Sequence, residues 1–236
     1  MSTILVTGGN KGIGFATARR LVDAGHRVYI GSRDPERGRA AAQELGARAV
    51  QLDVTDDASV NAAAKAIGEA EGRLDVLVNN AGIEARKPGG GIVGAAETTA
   101  DHMREMFETN VFGTVRVTHA FLPLLQRSEA PVIVNVSSGL ASLTALSDPE
   151  HPAAFYPGVA YPASKAAVNM VTVQFAKAFP KLRINAVEPG FTKTALNNHT
   201  GTQTPEEAAE VIVRMAEVGP DGPTGGYFDV NGPLKW

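Results

Sequence analysis

The apolar triplet Ile4-Leu5-Val6 runs directly into Thr7-Gly8-Gly9-Asn10-Lys11-Gly12-Ile13-Gly14, and an alanine-containing stretch of helical period follows at once. A strand that meets glycines at 8, 12 and 14 and then opens a helix makes a tight turn with no side chains over the helix N-terminus. An anion such as a pyrophosphate can reach the free N–H groups there. Alone, such a turn also serves as a plain strand-to-helix connection. The rest of the chain decides between the two, because β-branched runs keep alternating with helical stretches, which is the pattern of βαβ units and a parallel sheet.

Strands are predicted at about 3–7, 27–31, 47–51, 74–79, 131–137, 183–187 and 226–230. Helices are predicted over 12–24, 35–45, 59–71, 101–127, 161–179 and 205–217. The fold class is therefore α/β: one Rossmann-type doubly wound domain over residues 1–236, with about seven mostly parallel strands and helices on both faces. Two irregular spans, an active-site loop at 139–160 and a substrate loop at 191–204, follow strand ends on the carboxyl side, where such sheets bind ligands. Asp56 or Asp57 is expected to cap the third helix, and Thr204-Pro205-Glu206-Glu207 opens the last.

The net charge of -3 carries no long basic or acidic run, which excludes nucleic acid and anionic membrane as expected partners and leaves a small molecule. With no cysteine, thiolate nucleophiles, thiolate metal sites and disulfides are all ruled out. The five histidines show no metal-ligand spacing, so no metal is expected. Ile4-Leu5-Val6 is too short for a signal or membrane segment, and a cytoplasmic location is expected.

Arg33 stands at the end of the second strand, where an acidic residue would read the ribose hydroxyls of NAD. A guanidinium there can pair bidentately with a 2′-phosphate, which favours NADP(H), and Lys11 adds a second cation. The competing reading is two solvated cations with Asp34 paired to Arg33. Farther on, Tyr161 and Lys165 lie one helical turn apart, so an ammonium can sit beneath a phenol and make it a usable acid-base group. Tyr156 has Ala160 at the matching position and is excluded. Ser138 closes the fifth strand, where its hydroxyl can reach a substrate oxygen. Asn110 interrupts the long predicted helix, an awkward place for asparagine, and suggests a bend with water on a freed carbonyl.

These segments, with Asn79-Asn80-Ala81-Gly82 and Pro189-Gly190-Phe191-Thr192-Lys193-Thr194, resemble the short-chain dehydrogenase/reductase family along almost the whole chain. The glycine spacing is that family's GxxxGxG. Thr7-Gly8-Gly9-Asn10-Lys11-Gly12-Ile13-Gly14 is close to the TGANRGIG of its NADPH-dependent carbonyl reductase branch. The resemblance implies a catalytic set of Asn110, Ser138, Tyr161 and Lys165, with a proton relay through water to the lysine. It implies that NADP(H) lies along Gly8, Asn10, Lys11, Gly12, Ile13, Gly14, Arg33, Asp53, Val54, Asn80, Ala81, Gly82, Tyr161, Lys165, Pro189, Gly190, Thr192 and Thr194. Asp53 would contact adenine or cap the next helix. The asparagines would stabilise the sheet and border the ribose. Thr192 would hold the carboxamide and Thr194 the phosphates.

The implied activity is NADPH-dependent reduction of ketones or aldehydes with Tyr161 as general acid. The alternative is a catalytically silent NADP(H)-sensing protein of the same fold, against which the intact tetrad argues. A lyase or epimerase would bring a different glycine motif. The Ser138-to-Tyr161 segment is longer than in most members and shorter than the insertions of monomeric carbonyl reductases. With 191–196 and Trp236 it is expected to roof an apolar pocket. The helix over 161–179 reads as apolar nearly all round, which points to a homodimer, with a monomer left open.

Overall fold

The structure, a computed structural model, describes residues 1–236. Its first half repeats the strand-helix unit: β1 (Thr3–Thr7), α1 (Gly12–Asp23), β2 (Arg27–Ser32), α2 (Pro35–Leu45), β3 (Arg48–Gln51), α3 (Asp57–Glu71) and β4 (Val76–Asn79). The second half runs α4 (Ala100–Phe107), α5 (Gly113–Leu125), β5 (Val132–Val136), α6 (Leu143–Ser147), α7 (Ala160–Ala178), β6 (Arg183–Val187), α8 (Pro205–Ala216), β7 (Tyr227–Asp229) and β8 (Gly232–Pro233). The sheet order is β3-β2-β1-β4-β5-β6-β7-β8, parallel throughout except for the antiparallel β7–β8 pair. The eighth strand, two residues long, was not foreseen; its brevity leaves no hydrophobic period to read.

Strand residues alternate between two core layers, as a pleat requires. Ile4, Val6, Val76, Val78, Val132 and Val134 pack toward α1, α2 and α8, whereas Leu5, Leu77, Ile133 and Ile184 pack toward α3, α5 and α7. Each such fully buried aliphatic side chain contributes about 1.5–3 kcal/mol. Helix ends follow side-chain chemistry. Asp34 accepts from the N–H groups of Glu36 and Arg37, and Asp56, not Asp57, accepts from Ala58. Thr204 and Glu207 form a reciprocal capping box.

Two expectations change. The long helix over 101–127 is broken into α4 and α5 by a wider π turn at Glu108–Phe112. The Asn110 carbonyl accepts from the Thr114 hydroxyl at 2.8 Å. The sheet-facing stripe of α7 is also far from apolar: Ser164, Lys165, Asn169 and Thr172 are all buried there.

They are accommodated because β4 and β5 present asparagines to them. Asn79 pairs with Asn135 across the parallel register, and its Nδ2 donates to Asn135 Oδ1 at 2.9 Å and to Thr118 Oγ1 at 3.1 Å. Asn135 Nδ2 then donates to Thr172 Oγ1 at 2.9 Å, and Ser137 donates to Asn169 Oδ1 at 2.6 Å. A buried polar thread thus joins α5, the sheet and α7.

Cutting that thread should cost more than a surface bond. Asn135→Ala leaves Asn79 and Thr172 short of partners in a dry layer, a loss of about 1–3 kcal/mol. Urea unfolding should show a lower midpoint with an unchanged slope.

Candidate active site

A cleft of about 1710 Å³ opens at the carboxyl ends of the strands, where the order reverses between β1 and β4. All the expected cofactor and catalytic residues line it except Asn110, which lies buried behind.

At one end is the glycine turn. Gly8 and Gly12 have φ of 63° and 55°, the left-handed region that suits glycine. A Cβ on Gly14 would fall 2.4 Å from Asn80 Nδ2 and 2.6 Å from the Gly8 carbonyl oxygen, so the turn closes only without a side chain. Asn80 holds that turn: its Nδ2 donates to Thr7 O at 2.8 Å, and the N–H groups of Asn80 and Ala81 donate to Thr7 Oγ1 at 3.0 Å. The N-terminus of α1 has no side-chain cap and no acidic residue in its first turn, unlike α2, α3 and α8. Its positive end therefore faces the cleft unsatisfied.

Arg33 and Lys11 are exposed on the cleft wall and form no ion pair. The competing Asp34–Arg33 pair does not occur, because Asp34 caps α2 and binds Arg37 at 3.2 Å. Asp53 accepts from Thr55 N–H at 3.0 Å and Thr55 Oγ1 at 2.7 Å, shaping its own turn while Asp56 does the capping. Val54, Pro189, Gly190, Thr192 and Thr194 complete that wall.

At the other end, β5 supplies Ser138 and α7 supplies Tyr161 and Lys165. The Ser138 hydroxyl accepts from Leu140 N–H at 3.2 Å and lies close enough to the Tyr161 phenol to act on it, whereas Ser137 is spent on α7. Lys165, only 4% exposed, donates from Nζ to Val136 O at 2.8 Å and lies 5.8 Å from the Tyr161 ring centroid. Burial lowers its pKa to about 8. Burial, then the Glu84 charge, push the Tyr161 phenol above the ordinary tyrosine range, and the Ser138 hydroxyl only partly offsets them. The lysine was expected to dominate that balance; desolvation wins instead. Asn110 grips the Ile83 backbone at both ends, accepting from its N–H at 2.9 Å and donating to its carbonyl at 3.0 Å, and donates to Ser164 Oγ at 3.0 Å.

The expected roof needs correction. Trp236 does not line the cleft; it stacks on Tyr227 with centroids 5.3 Å apart. Nor is the lining uniformly apolar, since Glu84, Arg86 and Glu188 enter it. Glu84, 5% exposed, pairs with Arg86 and accepts the Tyr156 hydroxyl. Arg86 also donates to the Leu196 and Gly90 carbonyls, both at 3.0 Å, and so ties the segment after β4 to the 191–204 loop. No periodicity marks these residues in the sequence, because their partners lie on three separate loops.

Comparison with known proteins identifies the family. A family model for short chain dehydrogenase matches residues 2–205. The chain is 36% identical to (+)-neomenthol dehydrogenase of Arabidopsis thaliana, with 90% of each covered. Salutaridine reductase from Papaver somniferum superposes with a TM-score of 0.83 at 30% identity, over 97% of this chain and 99% of its own. An NADPH-bound carbonyl reductase from chicken fatty liver gives a TM-score of 0.86 at 26% identity, over 100% and 99%.

The buried lysine makes a testable mark on stability. Its folded pKa of about 8 lies below the ordinary lysine value of 10.5, so between those values the unfolded chain binds more protons and stability rises with pH, by about 3 kcal/mol in all. Tyr156, Tyr161 and Tyr227 are raised above 10 by burial, so past pH 10 the unfolded phenols ionise first and stability falls. Urea midpoints should climb from pH 8 to 10 in the native protein, and in Lys165→Met the climb should vanish.

Proposed function

This chain belongs to the short-chain dehydrogenase family of oxidoreductases, and we propose that it reduces ketones or aldehydes to alcohols with NADPH, Tyr161 acting as the general acid. The observation that carries the reading is the convergence of Ser138, Tyr161 and Lys165 at one end of a cleft whose other end holds two cations without partners.

The cofactor fits the residues present. The uncapped end of α1 suits a pyrophosphate, the glycines at 8, 12 and 14 allow close approach, and Arg33 with Lys11 suits a 2′-phosphate. Asp53 with Val54 would border the adenine, Thr192 the carboxamide and Thr194, which lies beside Gly12, the phosphates. Bound NADPH supplies the hydride.

The rest falls to the chain. Ser138 donates a hydrogen bond to the substrate carbonyl, and Tyr161 gives up its proton as charge develops on that oxygen. A phenol held above its usual range keeps that proton at neutral pH, as an acid must. Lys165, still mostly protonated at pH 7, steadies the phenolate left behind. Asn110 acts from behind by holding the Ile83 backbone and Ser164, one turn of α7 from the tyrosine.

No helix is long and apolar enough to cross a membrane, and we take the reaction to be cytoplasmic. Met170 on α7 is 58% exposed and Phe112 on the π turn 50%; the 139–160 loop leaves both uncovered, which supports a homodimer over a monomer. A silent NADP(H) sensor of the same fold would have no use for the buried lysine beside the tyrosine.

Tyr161→Phe should lower turnover by roughly 10²- to 10⁴-fold while NADPH binding, read by fluorescence titration, holds. A sensor would show no turnover to lose.

Arg33→Ala should weaken NADPH by roughly ten- to a hundredfold and hardly change NADH, from the loss of about 1.5–3 kcal/mol of charge-assisted contact. Dissociation constants for both cofactors would check this, and equal losses would mean that the 2′-phosphate lies elsewhere.

A further inference from the structure

Glu188 ends the face of β6 that packs on α7. Ile184 points into the core layer shared with Ala176 of α7, and a side chain four residues on points the same way. That places the Glu188 carboxylate on the Tyr161 side of the sheet, in the wall of the same cleft and near enough for its charge to act on the Tyr161 phenol.

Its partners are few. Oε1 accepts from Gly190 N–H at 3.0 Å, and Gly139 lies beside this carboxylate. A Cβ at Gly139 would stand 3.3 Å from Oε1, so the absence of a side chain there keeps the approach open. No lysine or arginine pairs with Glu188. The cation nearest in chemistry, Arg86, is committed to Glu84, and Lys87 to Glu97. The Tyr227 hydroxyl, which could have donated, is given to Ser138 O at 2.5 Å, and Asp229 adds a further negative charge nearby. Burial accordingly raises the Glu188 pKa. The Glu188 carboxylate is therefore left without a cationic partner: Lys165 Nζ donates to the Val136 carbonyl, and Lys193, also on the cleft wall, forms no ion pair with it.

We propose that Glu188 determines substrate specificity by receiving a protonated amine carried on the ketone whose carbonyl lies at Ser138 and Tyr161. A cation there replaces lost hydration with a charge-assisted hydrogen bond, and a substrate carboxylate is repelled. The inference rests on the reductase reading above and names the substrate class: basic amino ketones in preference to neutral or acidic ones.

Two ketones of like shape test it, N-methyl-4-piperidone and 4-methylcyclohexanone, each reduced with NADPH at pH 7. The ratio of their kcat/KM values should favour the amine in the native protein and fall roughly tenfold or more in Glu188→Gln, which keeps the size and the backbone contacts. Any unfolded fraction cancels in that ratio. An unchanged ratio, or an equal loss on both ketones, would overturn the assignment.

If the native protein reduces neither ketone, the reductase reading fails separately. Calorimetry with the corresponding alcohols, N-methyl-4-hydroxypiperidine and 4-methylcyclohexanol, still reads the subsite. Tighter binding of the amine that Glu188→Gln abolishes would support it, and equal binding of both alcohols would refute it.

Discussion

The attachment of α7 to β5 is the constraint on which the rest of the molecule depends. Tyr161 and Lys165 ride on that helix and Ser138 on the end of that strand, so their mutual geometry is only as good as the contact between the two. Apolar packing would hold the helix against the sheet but let it slide or rotate by fractions of a turn. Directional bonds do not. Thr172 meets Asn135, Asn169 meets Ser137 and Lys165 meets the Val136 carbonyl, three successive levels along one stripe. The polar groups are costly to bury and are retained with their partners, so they trade stability for position.

The π turn at Glu108–Phe112 extends the same logic to the other side of the cleft. By widening the helix by one residue it aims the Asn110 side chain at the Ile83 backbone, where both amide groups are used. From Ile83 the chain passes directly to Glu84 and Arg86, which clasp Tyr156 and the Leu196 carbonyl. The reacting end is thus framed by loops that are bonded to one another and to the helices beneath them. Charge follows this frame. Arg86 neutralises Glu84, whereas Arg33, Lys11 and Glu188 remain unpaired on the cleft wall.

Much of this was legible in the chain. Alternating β-branched runs and helical periods specified the parallel α/β sheet, since its central strands β1, β4 and β5 are buried on both faces and read as largely apolar runs. Glycines 8, 12 and 14 could be recognised because the turn they form needs a left-handed backbone at 8 and 12 and no side chain at 14. Tyr161 and Lys165 were visible because one helical turn is a local distance. Residues whose meaning depends on neighbours within a few positions could be read directly.

What stayed hidden depends on contacts between distant segments. The Glu84–Tyr156 bond joins positions 72 apart, and nothing near either residue hints at it. The helix over 161–179 reads as apolar nearly all round in the sequence, and its buried polar stripe emerges only where Asn135 and Ser137 at the end of β5 stand opposite it. Trp236 looked like a roof and proved to be a stacking partner for Tyr227. By itself the sequence determined the fold class, the glycine turn and the local Tyr161–Lys165 pair, because backbone sterics and helical period act over short spans. Only the tertiary structure decided which charges are neutralised, which are left open and which way the Tyr161 phenol is pushed. Burial and Coulomb interactions depend on distance in space, which the order of residues along a chain does not contain.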